Sequence, residues 1–283
     1  QRFSQRILVS EAVRRGWDIC TTDISKAFLQ GVTYEELAQL TGEPIREVNF
    51  FLPASNVPIL RRTPGFESFN PALEVLHCDK PGTGLTDAPR CFSLKLSKVT
   101  SACGLHPIAA DQEFCVKHND GNLVLIMTKH VDDLKLTGHR DQIMWVLKKI
   151  QEVFGELKIL WHDFTNCGVR HIQDKVTKEI TLDQTAYISA LRPIVCTEIK
   201  TRNNETTATS ELHELYRSLL GAVAFCSLTR IDVVVFICAL QRWSHQPLII
   251  HVKRLNALVR WLQANPKRLI YLKMAADEGH LRM

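Results

Sequence analysis

Two adjacent carboxylates are the residues of this 283-residue chain that are best placed to do chemistry. They are Asp132 and Asp133, at the end of a His-Val-Asp-Asp segment that lies between two short apolar runs. These runs, 121–129 and 134–138, predict antiparallel strands with the aspartates at the tip of the hairpin. Like charges so close together resist joint ionisation unless a cation lies between them, so the pair indicates a metal site. The alternative is an ordinary acidic turn, because aspartate is common in turns.

A third carboxylate, Asp23, ends another predicted strand, at the point where a helix-like run begins. Phosphoryl transfer with paired Mg²⁺ requires two or three carboxylates from different strands, because Mg²⁺ prefers oxygen ligands and keeps positions open for substrate phosphates. Asp23 and Asp132 meet this requirement only if their strands are neighbours. The expected chemistry is therefore metal-assisted phosphoryl transfer at a shared sheet edge.

The hydrophobic pattern predicts the elements that must hold these carboxylates in place. A hairpin of strands at 113–117 and 122–129 leads into the aspartate pair, and residues 32–75 show little periodicity. Helices are predicted near residues 6–14, 88–103, 141–154, 183–191, 212–227, 231–243 and 249–263, and further strands near 17–24, 167–172, 179–182 and 268–273. The mixture predicts an α+β fold.

Composition is that of a globular chain, with 45% hydrophobic and 23% charged residues. The longest apolar run, 233–240, is far shorter than the roughly 20 residues that a membrane span requires. No secretory signal opens the chain, and its first residue is Gln1, which suggests a piece of a longer polypeptide. The nine cysteines include no Cys-x-x-Cys pair and so favour free thiols in a reducing compartment.

One set of cysteines and histidines has ligand types that suit a tetrahedral zinc site. Its spacing is Cys-x2-His-x8-Cys-x2-His, and its members are Cys103, His106, Cys115 and His118. Cys115 and His118 fall on a predicted strand, where residues three apart point to opposite faces. Small buried cysteines and unrelated histidines are therefore the favoured interpretation, with zinc as the alternative.

Basic residues are concentrated near the end of the chain. Between positions 233 and 276 there are seven Lys or Arg residues and no Asp or Glu. Such a stretch is typical of a partner with a phosphate backbone, although a solvated helix surface is the alternative. Val252, Leu255, Val259 and Leu262 form an apolar stripe at helical spacing, which would leave Lys253 and other basic residues on the outer face.

Several motifs, in order, resemble those of copia-type LTR retrotransposon reverse transcriptases. The segment at 23–31 is similar to the family's D-V-x-x-A-F-L-x-G motif, residues 84–90 to G-L-K-Q-A-P-R, and residues 130–133 to Y-V-D-D with His130 in place of Tyr. Further motifs follow at 154–158, 216–221, 229–232 and 251–255. The resemblance extends from about Ile7 to about Gln263.

The resemblance implies an RNA-directed DNA polymerase domain of a Pol polyprotein. Its fold would be a polymerase palm, an antiparallel sheet backed by helices, followed by a mainly helical thumb- or connection-like region. Asp23, Asp132 and Asp133 would be the catalytic residues and would bind two Mg²⁺ ions. These ions would activate the primer 3′-hydroxyl and neutralise the incoming triphosphate.

Four other residues are implied to contact the incoming nucleotide. Phe28 would lie under its sugar, Thr83 and Gly84 would open the segment that lines the nucleotide pocket, and Arg90 would reach a phosphate. The alternatives are a core position for Phe28 and a helix cap for Arg90. Lys158 is favoured as an exposed lysine, with contact to pyrophosphate or primer as the alternative.

The predicted organisation has three parts. Residues 1–196 would form the palm with partial fingers, the polar segment 197–211 a linker or loop, and residues 212–283 the helical thumb- or connection-like region. The implied partners are an RNA or DNA template with a primer, dNTPs, and the integrase and ribonuclease H domains of the full-length polyprotein. The expected location is intracellular, in the cytoplasm, a virus-like particle or the nucleus, without a membrane partner.

Two other function classes compete with the polymerase. One is a catalytically inactive retroelement remnant that only binds nucleic acid. The other is an unrelated Mg²⁺-dependent phosphohydrolase or nuclease, which would cleave nucleic acid without any need for dNTPs.

Overall fold

Strands and helices are mixed along the chain in the structure, a computed structural model that describes residues 2–273. The strands of that part are β1 (Asp18–Asp23), β2 (Asn49–Phe50), β3 (Leu76–His77), β4 (His106–Ile108), β5 (Asp111–Asn119), β6 (Asn122–His130), β7 (Asp133–Gly138), β8 (Leu160–Trp161), β9 (Asp163–Asn166), β10 (Val169–Gln173), β11 (Ile180–Asp183) and β12 (Leu269–Tyr271). The α-helices are α1 (Arg2–Arg15), α2 (Tyr34–Thr41), α3 (Val57–Leu60), α4 (Ala88–Ala102), α5 (Arg140–Phe154), α6 (Thr185–Ala190), α7 (Glu198–Thr201), α8 (Ser210–Phe225), α9 (Val234–Gln241) and α10 (Ile249–Ala264). The α+β class predicted from the sequence is confirmed.

A six-stranded antiparallel sheet carries the predicted carboxylates. Its strand order is β4-β5-β6-β7-β1-β8, so that β1 lies directly beside the β6–β7 hairpin. The predicted hairpins before and at the aspartate pair are both confirmed. Residues 124–129 of β6 are all buried, which explains why most of this strand is apolar.

One face of this sheet is covered by α4 and α5. Met127 and Leu136 from the sheet are buried against these helices in one core. Phe92 on α4 contacts Phe154 on α5 edge to face, with ring centroids 5.7 Å apart. α5 ends at Phe154, as the sequence predicts, and is followed by Gly155, whose φ of 88° is favourable for glycine. α4 ends at Ala102, one residue before the predicted end.

The other face is covered by α1 and by a second antiparallel sheet, in the order β12-β11-β10-β9. Ile19 and Ile126 from the first sheet pack with Leu8 of α1 and with Phe164 of the second sheet. Cys167, which the sequence predicts at the start of a strand, instead lies in the turn between β9 and β10. Its φ is 49°, in the left-handed region that this tight turn requires.

A separate core holds the helices near the end of the described chain. The predicted apolar stripe of α10 is confirmed, because Val252, Leu255, Val259 and Leu262 are all fully buried there. Ile188 and Leu191 pack into the same core, although they precede the predicted linker. That linker contains the short helix α7, and how the chain divides into domains stays a prediction. Residues 274–283 of the third predicted region lie outside the described part.

The aperiodic stretch after β1 contains short elements that the sequence pattern did not predict. Thr33 begins α2 with a capping box, in which its hydroxyl and the Glu36 carboxylate each accept a backbone N–H. β2 and β3 pair through only two residues each. Within residues 2–273, no helix is both long enough and apolar enough to cross a lipid bilayer.

Candidate active site

The strand register brings the three predicted carboxylates to one edge of the six-stranded sheet. Asp23 at the end of β1 lies directly opposite Asp133 at the start of β7. Asp132 lies in the adjoining turn, where its carbonyl accepts the backbone N–H of Ile24 at 3.2 Å. The strands that carry Asp23 and Asp133 are therefore neighbours, as a shared metal site requires.

The turn that carries Asp132 has a strained backbone. Val131, at its tip, has a φ of 58°, and the left-handed region is unfavourable for a β-branched residue. Strain of this kind is kept only where the surrounding structure imposes it, and it is often found at functional sites. Here the pairing of His130 with Asp133 closes the hairpin and imposes the turn.

The carboxylates interact electrostatically. Burial raises the pKa of Asp23, and the negative charges of Asp132 and Asp133 and a hydrogen bond with the Asp132 side chain raise it further. This is the response expected of like charges that lack a counterion. A divalent cation between these groups would reverse it.

The donor set fits Mg²⁺ in its chemistry, because it consists of carboxylate oxygens. The side chains are not preassembled as a cage, since no group of three or more His, Cys, Asp or Glu residues in the described chain is arranged to hold a metal ion. The Asp132 side chain nevertheless lies close enough to Asp23 to raise the pKa of that carboxyl. Metal binding by the three aspartates therefore stays a prediction.

A cleft of about 670 Å³ opens beside the carboxylates. Asp23 and Asp133 line it together with Glu156 and Lys158. Lys158 is exposed, as the sequence favoured, but it is not remote from the site. β8 pairs with β1 through Thr21 opposite Leu160, and continuing this register brings Lys158 next to Asp23. Periodicity alone could not place Lys158 beside the cleft, because β8 is only two residues long.

The residues implied to bind the nucleotide lie on two adjoining segments. Phe28 is in a 3₁₀ segment, Ala27–Gln30, and is half-buried against the main core. Thr83 and Gly84 are exposed in the turn before α4. The two segments are close, since a Cβ on Gly82 would lie 3.5 Å from the side chain of Leu29. Contact of these residues with a nucleotide stays a prediction.

Arg90 makes an ion pair instead of capping its helix. Its guanidinium donates two hydrogen bonds to the Glu43 carboxylate, at 2.9 and 3.0 Å. Both side chains are about half exposed. Exposed pairs of this kind contribute little stability, and contact of Arg90 with a phosphate stays a prediction.

The zinc alternative finds no support in residues 2–273. Cys103 and Cys115 are buried in the hydrophobic core, whereas His106 and His118 are exposed. Strand pairing places Val116, not Cys115, opposite His106. The four side chains therefore do not converge.

The basic residues near the end of the chain are partly engaged with other side chains. Lys253, predicted to face outward, donates to Asn204 Oδ1 at 2.7 Å, and Arg268 pairs with Asp183 at 2.9 Å. Arg254 and Arg260 are exposed on α10. α10 therefore has an outward basic face. Fewer of the basic side chains near the end of the chain are without a side-chain partner than the sequence alone indicates.

The chain is similar in sequence to retrotransposon Pol polyproteins. It is 23% identical to the retrovirus-related Pol polyprotein from transposon RE1 and 25% identical to that from transposon RE2, both of Arabidopsis thaliana. Each similarity covers 95% of this chain, which spans 18% of the length of these curated relatives. The recognition of a Pol-type chain from its motifs is thereby confirmed.

Two other comparisons add little. No protein-family model matches the chain. A solved structure of apo telomerase from Candida tropicalis, truncated from its C-terminal domain, shares 11% identity with it at a TM-score of 0.35. That match covers 64% of this chain and 39% of the telomerase chain, and a score this low does not establish a common fold.

Proposed function

We propose that this chain is the RNA-directed DNA polymerase domain of a retrotransposon Pol polyprotein, of the copia type. It would transfer nucleotides from dNTPs to a primer 3′-hydroxyl on an RNA or DNA template. The observation that carries the proposal is the pairing of Asp23 with Asp133, beside Asp132, at the edge of a cleft. The Pol polyprotein relatives support the same class.

In this proposal the six-stranded sheet with α4 and α5 is the palm, and α8, α9 and α10 form the thumb- or connection-like region. The polar segment 197–211 would join the two. The exposed basic face of α10 would lie along the phosphate backbone of the template and primer, whose affinity would fall with added salt.

Asp23 and Asp132 would hold two Mg²⁺ ions, with Asp133 as the supporting carboxylate. When bound, the ions would lower the pKa of the primer 3′-hydroxyl and neutralise the triphosphate and the leaving pyrophosphate. The side chains contribute positioning and charge, which is most of what phosphoryl transfer requires of a protein. Lys158 would contact phosphate oxygens in the cleft, and Phe28 would exclude a ribose 2′-hydroxyl by its bulk.

A primer-extension assay with Mg²⁺, dNTPs and an RNA template tests the proposal. We expect extension by the unmodified chain and a loss of roughly 100-fold or more in Asp23→Asn and Asp132→Asn, which keep the side-chain shape but remove a ligand charge. Asp120→Asn is the matched control, because Asp120 lies in the turn at the far end of the β5–β6 hairpin. Undiminished extension by Asp132→Asn would refute the proposed mechanism.

The same assay separates the competing classes. A catalytically inactive remnant, which the absence of a preassembled three-ligand group in residues 2–273 favours, would bind template and primer in a salt-sensitive way without extending them. A nuclease would shorten the strands without dNTPs. Either result, obtained with folded protein, would replace the polymerase proposal.

A further inference from the structure

A second polar cavity, of about 330 Å³, lies beside the candidate active site. Lys135 lines it and stands two positions after Asp133 on β7, so both side chains project from the same face of the six-stranded sheet. The end of β9 and the turn that follows it contribute Asn166 and Cys167 to the lining. The proposed polymerase mechanism uses none of these side chains.

Two amide oxygens that line the cavity are buried and have no hydrogen-bond partner within residues 2–273. They are Gln5 Oε1 and Asn166 Oδ1. The orientation of the Asn166 amide is fixed by its other end. The Thr21 hydroxyl donates to the Leu134 carbonyl at 2.7 Å, so it accepts from Asn166 Nδ2 at 3.2 Å. Because Asn166 is only 2% exposed, its free acceptor costs stability unless a donor enters the cavity.

The cavity also contains a buried donor. The Lys135 side chain is 1% exposed, and its Nζ lies 3.1 Å from His171 Nε2. His171 Nδ1 lies 2.9 Å from the Val169 carbonyl and must donate to it, which leaves Nε2 as the acceptor for Lys135. The amine has further hydrogens, and no other side chain among residues 2–273 accepts them. It can therefore donate to a ligand.

Apart from Arg6 and His130, the rest of the lining is apolar and is formed by Val169, Leu182, Phe225 and Leu228. The Arg6 guanidinium donates to the Ser227 and Leu228 carbonyls at 2.9 and 3.3 Å. Water molecules occupy about 30 Å³ each and could bridge the polar groups, but they gain nothing from the apolar wall. An apolar cavity with a few converging polar groups, near the lower end of the usual range of about 300–1,000 Å³, is characteristic of a site for a small ligand.

We propose that this cavity binds a small, uncharged, planar heterocycle with an amide edge, the edge that a nucleobase presents. The ligand carbonyl would accept from Lys135, the ring N–H next to it would donate to Asn166 Oδ1, and the ring would pack against Phe225. The ligand could be a free base or an unpaired base of a bound strand, because both present the same edge. The inference does not require polymerase activity.

Isothermal titration of the whole chain with uracil, without Mg²⁺ or dNTPs, tests the proposal. We expect saturable binding at one site. 1,3-Dimethyluracil, which keeps the ring and both carbonyls but lacks N–H groups, should bind at least tenfold more weakly. Asn166→Leu and Lys135→Met should weaken uracil by a similar factor. Lys129→Met is the control, because Lys129 is a buried lysine of the same sheet that bonds to Ser97 and does not line the cavity.

A second measurement needs no substitution and so does not depend on the variants folding. Uracil should slow alkylation of Cys167, which lines the cavity, at least fivefold, and should leave the exposed Cys238 unchanged. If a uridine oligonucleotide protects at concentrations at which free uracil and the abasic oligonucleotide do not, the ligand is a base of a bound strand. If the oligonucleotide protects no better than free uracil, the ligand is a small molecule. Equal binding of the two uracils, or neither binding nor protection at about 10 mM, would overturn the proposal.

Discussion

Three negatively charged carboxylates, those of Asp23, Asp132 and Asp133, lie close together at the tip of the β6–β7 hairpin, and their mutual repulsion destabilises the folded chain. Burial, the charges of Asp132 and Asp133, and the hydrogen bond with Asp132 all raise the pKa of Asp23. A carboxyl whose pKa is raised in the folded chain destabilises that chain above the folded pKa. The destabilisation is absent below 3.8, the pKa of an aspartate in the unfolded chain.

Asp132→Asn should therefore stabilise the chain in the absence of divalent ions, although it slows primer extension roughly 100-fold or more. We expect the free energy of unfolding at pH 7 to rise by about 0.5 to 1 kcal/mol, and the gain to vanish near pH 3. Urea denaturation at the two pH values measures it, with Asp120→Asn as the control. A loss of stability at pH 7 would mean that the carboxylates are held by structural contacts.

Asp18, at the opposite end of β1, shows the reverse behaviour. Burial raises its pKa, but hydrogen bonds from Lys178 Nζ at 2.6 Å and His162 Nε2 at 3.1 Å outweigh burial and lower it. A carboxyl with a lowered pKa contributes stability above 3.8, and that stability is lost as the pH falls through the folded pKa.

Asp18→Asn should lower the free energy of unfolding at pH 7 by about 1 to 3 kcal/mol, because it removes the charged partner of these bonds. The difference from the unmodified chain should narrow below pH 3.8. Chemical denaturation between pH 2.5 and 7 measures both effects. Asp163→Asn is the control, since its pair with Arg170 is exposed and contributes little. A difference that does not depend on pH would contradict the electrostatic explanation.

At the scale of elements, the β9–β10 turn is held by a close packing contact. Gly168 has a φ of 74°, and a Cβ placed on it would lie 2.7 Å from the Phe225 ring. This turn, and with it Asn166 and Cys167 of the second cavity, is therefore pinned against the end of α8.

Gly168→Ala should destabilise the chain by about 2 to 4 kcal/mol, because it adds a steric clash to the cost of a left-handed alanine. Gly16→Ala measures the cost of a left-handed alanine alone, since Gly16 has a φ of 68° and a Cβ placed on it would have no atom within 4 Å. It should cost only about 1 kcal/mol. Thermal unfolding of both variants measures the difference. Equal destabilisation of the two variants would show that the clash with Phe225 does not affect stability.

The contacts of Arg230 explain the Thr-Arg-Ile-Asp motif at 229–232. The Arg230 guanidinium is 1% exposed, donates two hydrogen bonds to Asp232 and one to the Asn265 carbonyl, and lies over the Trp261 ring. It therefore joins the segment after α8 to the end of α10. In this structure the motif holds helices together and is not part of the carboxylate site.

Long periodic elements were predictable from the sequence, and short ones were not. The apolar face of α5 and the strands around Asp23 and Asp132 carry enough residues to reveal their period. β2, β3 and β8 have two residues each and no period, so the cleft position of Lys158 depends on a register that only the folded chain provides.

At the scale of the whole molecule, sites made from distant segments were the least accessible to prediction. The three carboxylates were found because each follows a recognisable strand and the motifs give their order. The second cavity draws its walls from α1, both sheets and the end of α8, and no spacing along the chain relates Gln5, Lys135 and Asn166. Its polar groups become visible only through their burial and missing partners.

Binding of divalent cations by the three aspartates can be measured with Mn²⁺ by electron paramagnetic resonance in the presence of template, primer and dNTP. Mn²⁺ suits because it also prefers carboxylate oxygens. We predict saturable binding by the unmodified chain and by Asp120→Asn, and at least tenfold weaker binding by Asp23→Asn and by Asp132→Asn. Equal Mn²⁺ affinity in all four proteins would show that these aspartates do not bind the cation.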